Sequence, residues 1–271
     1  MKWPLKPIPD CYPKLHFAPL PEMHQHREKA KQDPDAAAGG PAMFRSTLSN
    51  RLLEIVSCLR SAKANEENNF STLQDPAASS TNEREYWARI ATALIVLGHG
   101  LTDEAHDLVA PLSWPEPLSY SYGPPVNVTS HVALAFASYT HCLVHRREGP
   151  HDSEFGMSGF GNANYWSGAS LRSGGEHGLP LPKIRNVILT YANKDSKSQE
   201  WMSKLQQQNL FEEWDPRVLT ELIEQVYQNH QQGTPHELTH FAEHAALLEL
   251  RTILNAVLEQ LGYDTTGLQV Q

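Results

Sequence analysis

Apolar residues along this chain recur at helical spacing. Leu48, Leu52, Ile55, Val56 and Leu59 predict a helix over 43–62. Tyr86, Trp87, Ile90, Leu94 and Leu97 predict a second over 83–97, ended by Gly98-His99-Gly100, where a glycine is free to take a left-handed cap. Thr102 reads as the N-cap of a short helix over 103–110 that stops at Pro111. A fourth helix over 126–147 carries Val132, Phe136, Tyr139 and Leu143 on its core-facing side. Ser196 and Gln199 have the spacing of a capping box for a helix reaching about residue 208. Asp215-Pro216 is a cap followed by a first-turn proline, and Val218, Leu222, Ile223 and Val226 form the apolar side of the helix it opens. Thr234-Pro235, with Glu237 as capping partner, opens a last helix that ends at Gly262. Strand-like alternation is missing throughout, so the expected fold is all-α, an irregular helical bundle.

Two segments break the pattern. Six prolines between Pro4 and Pro21 forbid regular structure, while Trp3, Leu5, Ile8, Tyr12, Leu15 and Phe17 are apolar enough to lie along a folded body. Residues 1–43 therefore read as an extended Pro-rich N-terminal arm and linker, and 44–271 as a single helical domain. Residues 149–183 are rich in glycine and read as a long irregular loop with one helical turn at Asn162–Trp166. Residues 184–191 are compatible with either strand or helix.

Composition narrows the partners. A formal net charge of -9 and a pI near 5.8 argue against a nucleic-acid backbone as the main partner. No apolar run approaches membrane-spanning length, which argues against a membrane. No hydrophobic stretch follows Lys2 and Lys6, so a secretory leader is not expected and the cytoplasm is the expected location. Cys11, Cys58 and Cys142 are odd in number and far apart, and read as reduced thiols.

Candidate chemistry concentrates on the fourth helix. His141, His145 and Glu148 fall at i, i+4 and i+7 on one stripe beside the apolar face. Asp103 and His106 form a second carboxylate–imidazole pair at i,i+3. These five groups are the catalytic candidates. A mixed nitrogen and oxygen set suits a divalent metal such as zinc, iron or manganese, held by His106, His141, His145 and Glu148. It equally suits metal-free acid–base chemistry, because histidine titrates near neutrality. The plain alternative is an N-terminal Asp103 bonded to His106, and an ordinary helical pair of His145 and Glu148. Asn162, Tyr165, Trp166 and Arg146 are the candidates for contacting a small-molecule substrate. His236-Glu237-Leu238-Thr239-His240 matches the zinc-protease pattern His-Glu-x-x-His. A Glu237 that caps its own helix would not be free to polarise water, so this third reading ranks last.

Three pieces of the chain, in order, resemble a family of uncharacterised all-helical proteins. Leu101-Thr-Asp103-Glu-Ala-His106-Asp-Leu resembles its acidic, histidine-containing helix start. His141-Cys-Leu-Val-His145-Arg-Arg-Glu148-Gly149, followed by Asn162-Ala-Asn-Tyr-Trp166, resembles its central His-Arg-Arg-Glu-Gly and Asn-Ala-x-Tyr-Trp signature. Trp214-Asp215-Pro216 resembles the start of its penultimate helix. The resemblance implies a helical fold and a site, not a reaction. The chain departs from that pattern in about ten extra residues over 151–160, and in Ser167-Gly168 where arginines would follow the tryptophan.

The leading expectation is a soluble helical enzyme or small-molecule binder with a His/carboxylate pocket between the third and fourth helices, hydrolytic or acid–base in chemistry and served by a divalent metal or by none. The rival is a non-catalytic helical interaction module, in which the histidines satisfy one another and the Pro-rich arm docks.

Overall fold

The computed structural model describes residues 55–59, 80–113, 130–150, 157–175, 178–194, 196–207, 214–233 and 237–265. Every regular element among them is a helix, as the apolar spacing predicts: α1 (Ser80–Gly98), α2 (Thr102–Ser113), α3 (His131–Glu148), α4 (Gly159–Ser170), a π-helical turn (Leu171–Gly175), α5 (Leu181–Ala192), α6 (Ser196–Gln207), α7 (Pro216–Gln231) and α8 (Thr239–Gln260). Residues 55–59 are also helical, and Ile55, Val56 and Leu59 join the core. The N-terminal arm, the rest of the helix expected over 43–62, and the start of the fourth helix at 126–129 lie outside the described residues.

α3 is the central element. It packs against α1, α2, α4, the π-turn and α8, and every residue from Ala135 to Glu148 is buried. A helix buried all round must dispose of its polar side chains internally. Hydroxyls do so by bonding back to the preceding turn, as Thr140 does to the Phe136 carbonyl at 2.9 Å, Thr92 to Ala88 at 2.7 Å and Thr252 to Leu248 at 2.7 Å. The larger polar groups of α3 require partners on neighbouring helices, and those partners build the two clusters described below.

Several boundaries differ from the sequence expectation. Residues 159–175 are helical, not a loop with one turn. Their glycines and serines form the small face of α4, whose Gly159, Ala163, Ser167 and Ser170 are buried. Ser158 caps this helix by accepting from the Gly161 N–H at 3.2 Å. Gly159 touches the end of α3 so closely that a Cβ there would lie 2.6 Å from the His145 carbonyl oxygen and 2.7 Å from the Gly149 nitrogen. Gly149 itself turns the chain out of α3 with φ +69° and donates its N–H to the His145 carbonyl at 3.0 Å. The Gly149 carbonyl then accepts from Phe160 N–H at 3.0 Å, which ties the two helices together. Glycine here serves close approach.

α2 runs through Pro111 to Ser113. A proline this near a helix end removes a single N–H, and Ser113 holds the final turn by donating to the Val109 carbonyl at 2.9 Å. Thr102 does not cap it: its Oγ1 is buried and makes no hydrogen bond among the described residues. Residues 184–191 resolve as helix. Gln199 donates to the Asn193 carbonyl at 2.8 Å, outside the expected capping box. Asp215 caps α7 as expected, accepting from Arg217 N–H at 2.9 Å. The last helix starts at Thr239, and Glu237 does not cap it. Glu237 lies in a turn, exposed, with its carboxylate 2.8 Å from the Lys197 ammonium.

Substitution of Gly159 should separate close approach from flexibility. Gly159→Ala forces α4 off α3 and is expected to cost about 1–3 kcal/mol. Gly161→Ala, whose Cβ would meet nothing nearer than 3.5 Å, should stabilise by up to about 1 kcal/mol through helix propensity. Urea unfolding midpoints of the two variants check this pair.

Candidate functional site

The stripe His141–His145–Glu148 of α3 faces α2 and α4. α2 brings His106 to it, and α4 brings Asn162 and Trp166. His106, His141 and His145 are 5%, 2% and 2% exposed, so none is a surface histidine. One ring nitrogen of each lies within 4.8 Å of those of the other two. The His141 and His145 rings stack at 4.6 Å, and His106 meets both edge-on, at 4.9 and 5.3 Å between centroids. The Trp166 indole lies on the outer side of His141, nearly parallel at 4.1 Å. The two halves of the signature noted in the sequence, 141–149 and 162–166, are therefore packed on each other.

Hydrogen bonding fixes the state of His145. Its Nδ1 is 2.7 Å from the Glu148 carboxylate. A carboxylate accepts, so Nδ1 carries a proton, and Nε2 is the atom that a neutral ring would offer as a lone pair. Two groups crowd that one lone pair, His141 Nε2 at 2.9 Å and Asn162 Nδ2 at 2.9 Å. If His141 donates from Nε2, its own Nδ1 is left as a bare lone pair, and that atom is buried with no hydrogen-bond partner among the described residues. Asn162 Oδ1 is in the same position. Burial, then the proximity of His145 and His106, pushes the His141 pKa well below its ordinary 6.5, which keeps the ring neutral. Three buried imidazoles, each with a ring nitrogen within 4.8 Å of those of the other two and one of them oriented by a carboxylate, form a group that could hold a metal ion. Zinc–nitrogen bonds near 2.0–2.1 Å in a tetrahedron place ligand nitrogens about 3.3 Å apart, so the 2.9 Å between the His141 and His145 Nε2 atoms would widen slightly and separations nearer the 4.8 Å limit would contract.

A second cluster occupies another side of the same helix. Tyr139, Cys142 and Arg146 lie at i, i+3 and i+7. The Arg146 guanidinium pairs with Glu249 of α8, donates to Thr220 Oγ1 at 2.9 Å and to the Pro216 carbonyl at 2.9 Å, and stands 3.8 Å from Cys142 Sγ. Tyr139 donates to Glu249 at 2.6 Å, and the Trp214 indole N–H reaches the Tyr139 hydroxyl at 3.0 Å. Burial works against the charge on Arg146, but Glu249 more than offsets it and holds the guanidinium charged. Burial also pushes the Cys142 thiol up to about 12, which removes it as a nucleophile.

The structure thus gathers His106, His141, His145, Glu148, Asn162 and Trp166, and turns Arg146 away into the core network. Tyr165 is 45% exposed and meets Trp166 edge-on at 5.2 Å. The side chain of Asp103 lies outside those described. The His-Glu-x-x-His pattern does not form a zinc-protease helix: α8 begins after Glu237, Glu237 pairs with Lys197, and His240 Nδ1 faces the Tyr191 hydroxyl at 3.3 Å. His236 lies outside the described residues. Sequence reasoning missed Glu249 and Trp214. The signal was present in Ala245-Ala-Leu-Leu-Glu249-Leu-Arg-Thr-Ile253, where a carboxylate sits four residues from an apolar position on either side and so on a buried stripe.

No protein-family model, curated protein or solved structure matches the chain.

Two outcomes follow from these environments. Glu249→Leu strands the Arg146 charge in the core and is expected to cost about 3–5 kcal/mol, whereas the double variant Arg146→Met/Glu249→Leu should recover most of it; denaturant unfolding of the three proteins measures this. For His141, the folded pKa lies below the unfolded one, so as pH falls through 6.5 the unfolded chain takes a proton that the folded chain refuses. Chelator-treated protein should therefore lose stability from about pH 7 to about pH 5, and His141→Gln should flatten that slope.

Proposed function

We propose that this chain is a metal-dependent enzyme acting on a small molecule, with a divalent transition ion, zinc by ligand type, held by His106, His141 and His145. One observation carries the reading: three buried imidazoles from two helices bring a ring nitrogen each within 4.8 Å of the other two, and Glu148 bonds Nδ1 of His145, leaving its Nε2 toward His141. Three nitrogen ligands without a thiolate are the composition of catalytic zinc sites, in which a fourth position stays open, whereas structural sites are closed by four ligands. Such an ion supplies Lewis acidity and an activated water, which favours hydrolysis or hydration as the reaction class.

The remaining residues take roles set by their contacts. Glu148 holds the His145 ring and raises its basicity. Asn162 places an amide against His145 Nε2 and offers a further polar atom, Oδ1, to a bound molecule. Trp166 fixes the plane of His141, and Tyr165 continues this aromatic line to the surface. The burial of the cluster favours a small substrate over a macromolecular one. The rival reading, an interaction module whose histidines satisfy one another, is opposed by the buried His141 Nδ1, since a self-satisfied cluster would give it a partner.

Metal analysis tests the proposal. Purified protein, or chelator-treated protein supplied with zinc or cobalt(II), should hold about one ion per chain, and cobalt should show tetrahedral visible absorption. His106→Ala, His141→Ala and His145→Ala should each abolish it. Glu148→Gln should keep the site but weaken it roughly 10- to 100-fold. Stoichiometric metal retained by a folded His145→Ala protein, or none bound by the wild type, would overturn the reading.

A further inference from the structure

α5 and α8 pack against each other and line a cleft of about 640 Å³, within the usual range of small-molecule sites. It is distinct in residues from the histidine cluster and rests on no part of that reading. Its walls are the i, i+3/i+4, i+7 faces of two helices. Lys183, Val187 and Thr190 repeat along α5, and His244, Leu247, Leu248 and Arg251 along α8. Lys194 closes one end, just past the last turn of α5.

The charge of this lining is one-sided. Among the described residues it contains three cations, Lys183, Lys194 and Arg251, and no carboxylate, in a chain whose formal net charge is -9. Lys183 and Lys194 stand roughly 16 Å apart along the helix axis at 1.5 Å per residue. Lys183 is 3.6 Å from Glu259 in an exposed pair and Lys194 lies 5.6 Å over the Tyr191 ring, contacts that a ligand could share or replace. Val187, Leu247 and Leu248 supply an apolar floor between these charges, and Asn186 an amide.

The ring pair at one end is held in place. Tyr191 and His244 stack at 4.8 Å with planes 7° apart, and the Tyr191 hydroxyl is 3.3 Å from His240 Nδ1. His244 Nδ1 is 3.1 Å from the His240 carbonyl, which can only accept. Nδ1 therefore carries a proton, and Nε2 is the ring nitrogen available to a ligand.

We propose that this cleft binds a small organic anion, a molecule with an apolar body and a phosphate, sulfonate or carboxylate group. The cations draw and orient the charged group, and the leucine–valine floor takes the body. Preference for an anion comes from the three cations that line the cleft, with no carboxylate among the described lining residues.

The test uses a matched pair of probes on the whole protein: 8-anilinonaphthalene-1-sulfonate, and N-phenyl-1-naphthylamine, which has the same rings without the charge. The sulfonate should bind at one site, weaken with added salt and be displaced by inorganic phosphate. The imidazole NMR signals of His244, assigned through His244→Gln, should move on binding. Lys183→Gln/Lys194→Gln, both at exposed positions, should weaken the sulfonate about tenfold and leave the uncharged probe unchanged. Equal affinity for the two probes, undiminished sulfonate binding by the double variant, or sulfonate binding that leaves the His244 signals in place would each overturn the proposal.

Discussion

Burial of α3 on every side is the constraint on which the rest of this molecule depends. An apolar helix in that position would need only shape. This one carries two histidines, two arginines and a carboxylate in its last eight residues, all buried. Leaving any of them unpaired in the interior costs more than most single contacts return. The neighbouring helices are therefore committed to particular side chains at particular heights: His106 on α2, Asn162 and Trp166 on α4, Thr220 on α7, Glu249 on α8. The packing of the bundle and the chemistry of its centre are the same set of contacts.

The 3.6-residue repeat divides these contacts into two systems. His141, His145 and Glu148 lie on one stripe, and Tyr139, Cys142 and Arg146 on another, with His145 and Arg146 about 100° apart around the axis. The arginine stripe is closed: its hydrogen bonds are made, its charge is neutralised by Glu249, and it locks three helices together. The histidine stripe is open, with a ring nitrogen and an amide oxygen still to be satisfied. That difference is why the first reads as architecture and the second as a site, although residue type alone would suggest the reverse for an arginine in a pocket.

How much of this was legible in the sequence follows from what each signal measures. Helix positions follow from apolar periodicity, and α1, α3 and α7 lie close to where that periodicity puts them. The grouping of His141, His145 and Glu148 follows from spacing alone, and that of His106 from the short connection between neighbouring helices. Glycine misled: 149–183 reads as loop because glycine usually breaks helices, but Gly159 and its small neighbours instead allow α4 to rest on α3. Glu237 misled in the same way, because a capping-box spacing does not say whether the helix has yet begun. The Arg146–Glu249 pair was out of reach, since nothing local to either residue specifies a partner 103 positions away.

That separation also bears on the order in which the molecule can come into being. During synthesis α3 emerges long before α8, and for that interval the Arg146 guanidinium has no carboxylate to meet. Burying it early would strand a charge, so the central helix must stay solvated, or only loosely docked, until the chain has grown past Glu249. A chain that ends before α8 lacks Glu249, and Arg146 then has no such carboxylate to neutralise it in the interior.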